Sequence, residues 1–309
     1  MSEAPGRSCP VPYRYGAPAL AACAAFEVET LWVAGGLYGN RFALARLLEL
    51  FDAESGSKAL VFNGDFHWFD CDGADFAAID EAVGRHRATR GNVETELAGA
   101  DAGAGCGCAY PEWVGEAEVA RSNRILERLR GVACGFPETR RALGALPMFR
   151  AAAVAGERIA IVHGDADSLA GWGFSQERLA APGGIAAARD ALRRAQARVI
   201  ASSHTCLPVL QSCGEAGVIV NNGAAGMPNF RATQFGVATR VSVRPRAGAL
   251  YAVRAGRLYV EAQPIRYDHP RWLERFVELW PPGSDAFESY HRRVVHGPAY
   301  DLPLAQRAA

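Results

Sequence analysis

Five apolar runs in this chain end alike: a strand-like stretch stops at a glycine or a run of small residues, beside at least one side chain able to ligate or carry a proton. The ends read "NGDFHWFD" (63–70), "RGNVE" (90–94), "VHGD" (162–165), "SSHTC" (202–206) and "NNGAAG" (221–226). Open α/β sheets place their ligands at the carboxyl ends of strands. Ends separated by helices can therefore converge on one site although none is near another in sequence. Their oxygen and imidazole donors suit Mn, Fe or Zn. A sixth stretch, "VAGGLYGN" (33–40), has the same rhythm of strand and tight turn, but carries Gly36 and Tyr38 where charged or ligating side chains are expected.

Periodicity fills in the intervals. Residues 1–28 read as a tail. From Thr30, "TLWVAG" precedes a helix at 41–51, "KALVFN" precedes one at 75–83, and "HRATRGN" is a short strand. "LAGADAGAGCGCAYP" reads as a loop longer than ordinary connections, placed to cover a site. Helices follow at 116–129 and 137–146, then a hairpin over "FRAAAVAGERIAIVHGD", a helix at 184–197 and a β-rich stretch that ends at Asp268. Pro281-Pro282-Gly283 separates two closing helices in 269–309, the second with Asp285 as its cap and Glu288 three residues on. Mixed strands and helices followed by antiparallel strands predict an α/β layered sandwich over 29–268, not a doubly wound sheet.

Composition narrows function by exclusion. Lys+Arg and Asp+Glu balance at 33 each, so there is no general attraction to nucleic acid or anionic membrane. No apolar run approaches the roughly 20 residues that span a bilayer. The N-terminus has an acidic residue near its start and several prolines, and lacks a basic leader, so the expected location is cytoplasmic. Eight cysteines without a CxxC pair read as thiols or ligands of a reducing compartment. P-loop, nucleophile-elbow, HExxH and dinucleotide fingerprints are absent from the sequence.

In this order the clusters resemble the calcineurin-like metallophosphoesterase superfamily, in particular its compact bacterial phosphodiesterase-like branch. Members run through D-x-H-G-N, G-D, G-N-H-[DE], H-G, G-H-T-H and N-P-G-S; this chain has "GLYGN", "GD", "GNVE", "HG", "SHTC" and "NNGAA" over roughly 31–268. The resemblance implies a four-layer α/β/β/α sandwich with C-terminal helices. It also implies a bridging carboxylate at Asp65, with Asn92, His163 and His204 completing one metal site. The other site needs Asp, His and His at 36, 38 and 206, where this chain has Gly36, Tyr38 and Cys206. The general acid of G-N-H is Val93 here. Every loss falls on one metal and every survivor on the other. The expectation is thus one divalent transition metal (Mn, Fe or Zn), a second metal being doubtful, and metal-assisted hydrolysis of a small phosphorylated substrate.

Several residues carry more than one reading. Tyr38 and Cys206 either rebuild a first site for Fe(III) or Zn and redox or sulfur-linked chemistry, act as proton donor and nucleophile, or fill the vacated volume. His67, two residues past Asp65 in an extended segment, either enters the site as ligand or acid, or is a satisfied loop histidine. Glu94 is expected to orient its neighbours. Asp165 reaches the pocket or caps the next segment. Cys106 and Cys108 share one side of the loop and suit a soft metal, a redox pair or neither. The turn "NNGAAG" permits close backbone approach to an anion, and Trp68, Trp113 and Trp172 read as core. The alternative to hydrolysis is a non-catalytic protein that binds a phosphometabolite or nucleotide.

Overall fold

The computed structural model describes residues 5–7, 9–99 and 103–308. Helix α1 (Ala17–Ala22) and strand β1 (Ala25–Glu27) lead into β2 (Thr30–Ala34), α2 (Arg41–Asp52), β3 (Lys58–Asn63), α3 (Gly73–Gly84) and β4 (Arg87–Thr89). The middle of the chain holds α4 (Asn92–Ala98), α5 (Glu116–Ala133), α6 (Pro137–Ala145), the hairpin β5 (Phe149–Val154) and β6 (Glu157–Val162), α7 (Gln176–Ala180), α8 (Gly184–Arg194) and β7 (Val199–Ser202). Strands β8 (Val209–Ser212), β9 (Val218–Asn221), β10 (Gly236–Ser242), β11 (Tyr251–Ala255) and β12 (Leu258–Ile265) follow. Helices α9 (His269–Leu279) and α10 (Asp285–His296) and strand β13 (Gln306–Arg307) close the chain.

The strands make two sheets, ordered β11-β12-β10-β2-β3-β4 and β1-β5-β6-β7-β9-β8-β13. In the first, β2, β3 and β4 run parallel and β10 joins β2 antiparallel. In the second, β6, β7 and β9 run parallel, flanked by antiparallel β5 and β8.

Alternation along the strands builds the layers. Leu31 and Val33 of β2 pack with Ile159, Ile161, Val199 and Val220 between the sheets. Their neighbour Trp32 belongs to the core under the helices on one side, with Leu47, Phe76, Leu126 and Phe276. Ala160 and Val162 of β6 face the other side, against Leu179 and Leu192. Both faces of each sheet are thus covered, which is why β2 and β7 are buried throughout. The fold is the expected α/β/β/α sandwich with helices at its C-terminal end. Among the described residues no helix is long and apolar enough to cross a membrane.

Four local features depart from the sequence expectation. Residues 17–27, expected within a tail, form α1 and β1, and β1 pairs in parallel with β5 at the sheet edge. Helix α4 begins at Asn92, inside what read as a strand end and loop. Ser284, not Asp285, stands at the N-cap of α10, and Asp285 accepts from the Arg124 guanidinium on α5 at 3.0 Å. β13, beyond the closing helices, adds to the edge of β8.

Candidate metal centre

The parallel strands of both sheets deliver their carboxyl ends to one place. The turn after β3 supplies Asp65, the start of α4 after β4 supplies Asn92, and the ends of β6 and β7 supply His163 and His204. One ligand atom from each of Asp65, His163 and His204 lies within 4.8 Å of the others, and all three residues are buried. The chain reverses sharply to do this. Asp65 has φ +54° and Gly64 φ +76°, and a Cβ on Gly64 would run into the His163 ring and the Gly91 backbone. Only glycine fits there.

The Glu94 carboxylate, fully buried, staples the two turns together. It accepts from the backbone N–H of Asp65 and of Gly91 (2.8 Å each) and of Phe66 (3.1 Å). Burial and the nearby Asp65 charge push its pKa up, while these amide bonds pull the other way. This is the orienting role expected for the residue.

Each histidine is oriented through the nitrogen that points away from the centre. His163 Nδ1 lies 2.8 Å from the Asn63 carbonyl, and His204 Nε2 lies 2.9 Å from the Cys108 carbonyl. A carbonyl only accepts, so both outer nitrogens carry hydrogen and donate. The inner nitrogens, His163 Nε2 and His204 Nδ1, are then lone-pair donors 3.2 Å apart. His163 Nε2 also lies 3.3 Å from an Asp65 carboxylate oxygen and 3.2 Å from Asn92 Oδ1. The Asn92 amide is fixed by its Nδ2, which donates to the Cys106 carbonyl at 2.9 Å.

Such a buried cluster of Asp65, His163 and His204 can hold a metal ion. Without a metal the proton takes that place. Burial opposes a charge on His163, but Asp65 outweighs it and raises the histidine's pKa. Asp65 is correspondingly held below its usual range by His163, against the effect of burial. Burial and the neighbouring His163 push His204 down to about 4, so it presents a neutral ring at pH 7. Two neutral imidazole nitrogens, a carboxylate and an amide oxygen form a donor set suited to a divalent transition metal. The buried carbonyls behind the rings set the tautomers as outer partners of metal-bound histidines do.

Two solved structures match most of the chain. One is a hypothetical protein from Pyrococcus horikoshii, with TM-score 0.60 and 16% identity over 87% of this chain and 99% of that one. The other is a metallophosphoesterase from Sphaerobacter thermophilus, with TM-score 0.57 and 16% identity over 88% of this chain and 100% of that one. This chain has the metallophosphoesterase fold. No protein-family model matches the sequence, and no curated protein matches it either.

In this metallophosphoesterase fold the half of the site beside β2 is filled by its own side chains. A Cβ at Gly36 would collide with the Tyr38 ring. Tyr38 in turn places its hydroxyl 2.7 Å from Cys206 Sγ. Burial, with the neighbouring Cys206 and Asp65, raises the Tyr38 phenol far above its ordinary value. Burial raises the Cys206 thiol as well, against the pull of Arg293. Both are protonated near neutrality and hydrogen-bonded to each other. The backbone next to Gly36 is closed too: Gly226 N–H donates to the Gly36 carbonyl, and a Cβ at Gly35 would meet the Gly223 carbonyl. The "NNGAAG" turn thus approaches the β2 loop closely.

The structure brings Asp65, Asn92, His163, His204, Tyr38 and Cys206 together and leaves His67 out. His67 is buried with Nδ1 2.6 Å from Asp70 and its ring stacked on Phe76 at 4.1 Å. The extended alternation that would have aimed it at the site is broken by the positive φ of Asp65. Asp165 accepts from the backbone of Asp167, Ser168 and Gly173 and caps its own turn. Cys106 and Cys108 are buried free thiols of the loop itself. A cavity of about 70 Å³ opens on the centre. Trp68 and Trp172 line it; Trp68 is also part of the core under the helices, as expected, whereas Trp172 is half-buried and Trp113 is 61% exposed. Tyr110 and, from α10, Tyr290 complete the wall. No motif marks Tyr290, whose helix arrives from the far end of the chain.

Proposed function

We propose that this chain holds one divalent transition metal through Asp65, Asn92, His163 and His204 and uses it to hydrolyse a small phosphate ester. The observation that carries the reading is the facing of His163 Nε2 and His204 Nδ1 at 3.2 Å, each ring's other nitrogen being committed to a carbonyl. A divalent cation there supplies Lewis acidity and lowers the pKa of an adjacent water toward about 7. Asp65 and Asn92 supply the oxygen donors, and Glu94 keeps their turns in register. Tyr38 and Cys206 occupy the space of a second cation and offer no charge in its place.

The walls point to the charge of the substrate. Among the described residues lining the cavity there is no lysine or arginine. With Asp65 ionised and both histidines neutral, a divalent cation leaves the ligand set at +1, and the neighbouring Glu94 carboxylate and Arg293 guanidinium carry opposite single charges. A monoanion neutralises that charge, whereas a dianion leaves an uncompensated charge in a buried place, a penalty of several kcal/mol. The acid histidine of the resemblance is Val93, and no other lining group titrates near neutrality to protonate a leaving group. Both considerations favour phosphodiesters with good leaving groups over phosphomonoesters.

Metal content per chain, measured beside hydrolysis of bis(p-nitrophenyl) phosphate and p-nitrophenyl phosphate, tests the proposal. About one metal per chain, lost in His163→Ala together with diesterase activity, is expected. No metal after reconstitution, or equal activity in His163→Ala, would end the proposal and leave ligand binding without turnover as the reading. Metal uptake with preference for the monoester would overturn the charge argument alone.

A further inference from the structure

We infer that residues 5–7 and 9–15 act as a strap that sets the ligand geometry of the metal centre, with Tyr13 as a positioning residue. The inference rests on the proposed metal site. The immediate holders of two ligands are backbone carbonyls of the 103–110 loop. Cys106 O accepts from the Asn92 amide, and Cys108 O accepts from the His204 ring and the Trp172 indole. That loop contains Gly103, Gly105 and Gly107 and no helix or strand. Glycine-rich backbone loses much entropy when fixed and has little intrinsic shape. The position of the two carbonyls is therefore set by what the loop is tied to.

It is tied to the N-terminal segment. Gly6 N–H donates to Ala104 O, and Tyr110 N–H donates to Gly6 O, each at 2.9 Å. Asn123 on α5 bridges both, accepting from Cys106 N at 2.9 Å and donating to Pro5 O at 3.1 Å. Arg7 donates to the carbonyls of Pro111 and Val114 at 2.6 Å. Tyr13, 3% exposed, donates to Glu96 on α4 at 2.5 Å. Its own carbonyl accepts from Leu169 at 2.9 Å, in the segment that follows His163. Gly107 is wedged at the junction. It has φ +66°, and a Cβ there would strike the Tyr13 hydroxyl and stand 3.2 Å from Asn92 Cβ. Strap, loop and ligand thus touch at one point.

Tyr15 is an internal control. It is on the same strap and donates to Asp165 O at 2.7 Å, with its ring against Phe149, away from the loop. The experiment titrates Co²⁺ into the full-length wild type, Tyr13→Phe, Gly107→Ala and Tyr15→Phe. It reads affinity, the visible absorption spectrum of the Co²⁺ form and metal-free melting. Outer partners of metal ligands typically change affinity by about 10–100-fold. Gly107→Ala is expected at about tenfold weaker, with an altered spectrum. Tyr13→Phe is expected to shift both in the same direction by less, with melting no lower than in Tyr15→Phe. Wild-type affinity and spectrum in Tyr13→Phe and Gly107→Ala would overturn the strap and leave the metal site standing. Equal losses in Tyr13→Phe and Tyr15→Phe would reduce the strap to general stability and also overturn it. Absence of Co²⁺ binding in the wild type would remove the metal site itself, and the strap with it.

Discussion

Gly36 and Tyr38 act as a pair, because the phenol ring stands where a side chain at position 36 would begin. The ring in turn needs Cys206, not a bulkier group, at the other end of its hydroxyl. The side chains that the resemblance places at 36, 38 and 206 therefore compete for space with those present. Restoring them singly is expected to fail. Gly36→Asp alone should cost about 1–3 kcal/mol by overpacking. Gly36→Asp with Tyr38→His should recover part of that, giving a coupling of at least about 1 kcal/mol. Urea unfolding of the four proteins of the cycle measures it, and additive losses would show that ring and glycine are independent. At this scale the clustering of Asp65, His163 and His204 was legible because glycine and polar residues punctuate strand ends. His67 was not, since a positive φ at Asp65 undoes the alternation from which its direction was inferred. Nothing in a linear sequence reports that dihedral.

The turns that carry Asp65 and Asn92 follow the paired strands β3 and β4 and are joined further by one carboxylate. Glu94 sits at the third position of α4 and caps that helix through Gly91 N–H, yet it accepts equally from amides of the turn after β3. Glu94→Gln keeps the shape but replaces one acceptor oxygen by a donor that would face an amide N–H. Bonds to a charged group are each worth about 1.5–3 kcal/mol, and an unsatisfied buried donor adds a similar cost. The variant is expected to lose about 2–4 kcal/mol of stability and to bind metal more weakly than wild type. Chemical unfolding and metal titration check the two effects separately. Stability within error of wild type would mean that the turns hold themselves. Helix α4 was illegible because its first residues belong to a motif read as a strand end. Tyr290 and the α10 cap were illegible for a different reason. Their partners, the cavity wall and Arg124 on α5, are tertiary neighbours far off in the chain.

On the scale of the whole molecule, a layered sandwich was legible from the order of strands and helices, because alternation and turn chemistry are local, and its two-sheet form was implied by the resemblance. The edge strands β1 and β13 were not, since each is short and exists only by pairing with β5 and β8. What the two sheets accomplish together is to bring Asp65 and Asn92 from one and His163 and His204 from the other into a buried cluster able to hold a metal ion. Stability, metal and proton are therefore linked across the entire fold. In the metal-free protein His163 titrates above its ordinary value because of Asp65. Its proton thus adds stability that is fully present below the unfolded value near 6.5 and fades as pH rises through the raised value. The metal must displace that same proton, so its apparent affinity rises about tenfold per pH unit up to the raised value and then levels. His204, down at about 4, is already neutral and releases none. Metal binding is expected to release more than half a proton at pH 6.5, seen as a buffer-dependent calorimetric heat. The melting shift caused by metal is expected to widen from pH 6 to 8. At a hundredfold excess over Kd the stabilisation amounts to about 2.7 kcal/mol, several degrees in Tm for a chain of this size. A shift independent of pH, or a release of two protons, would mean that His163 and His204 do not divide the roles as their partners dictate.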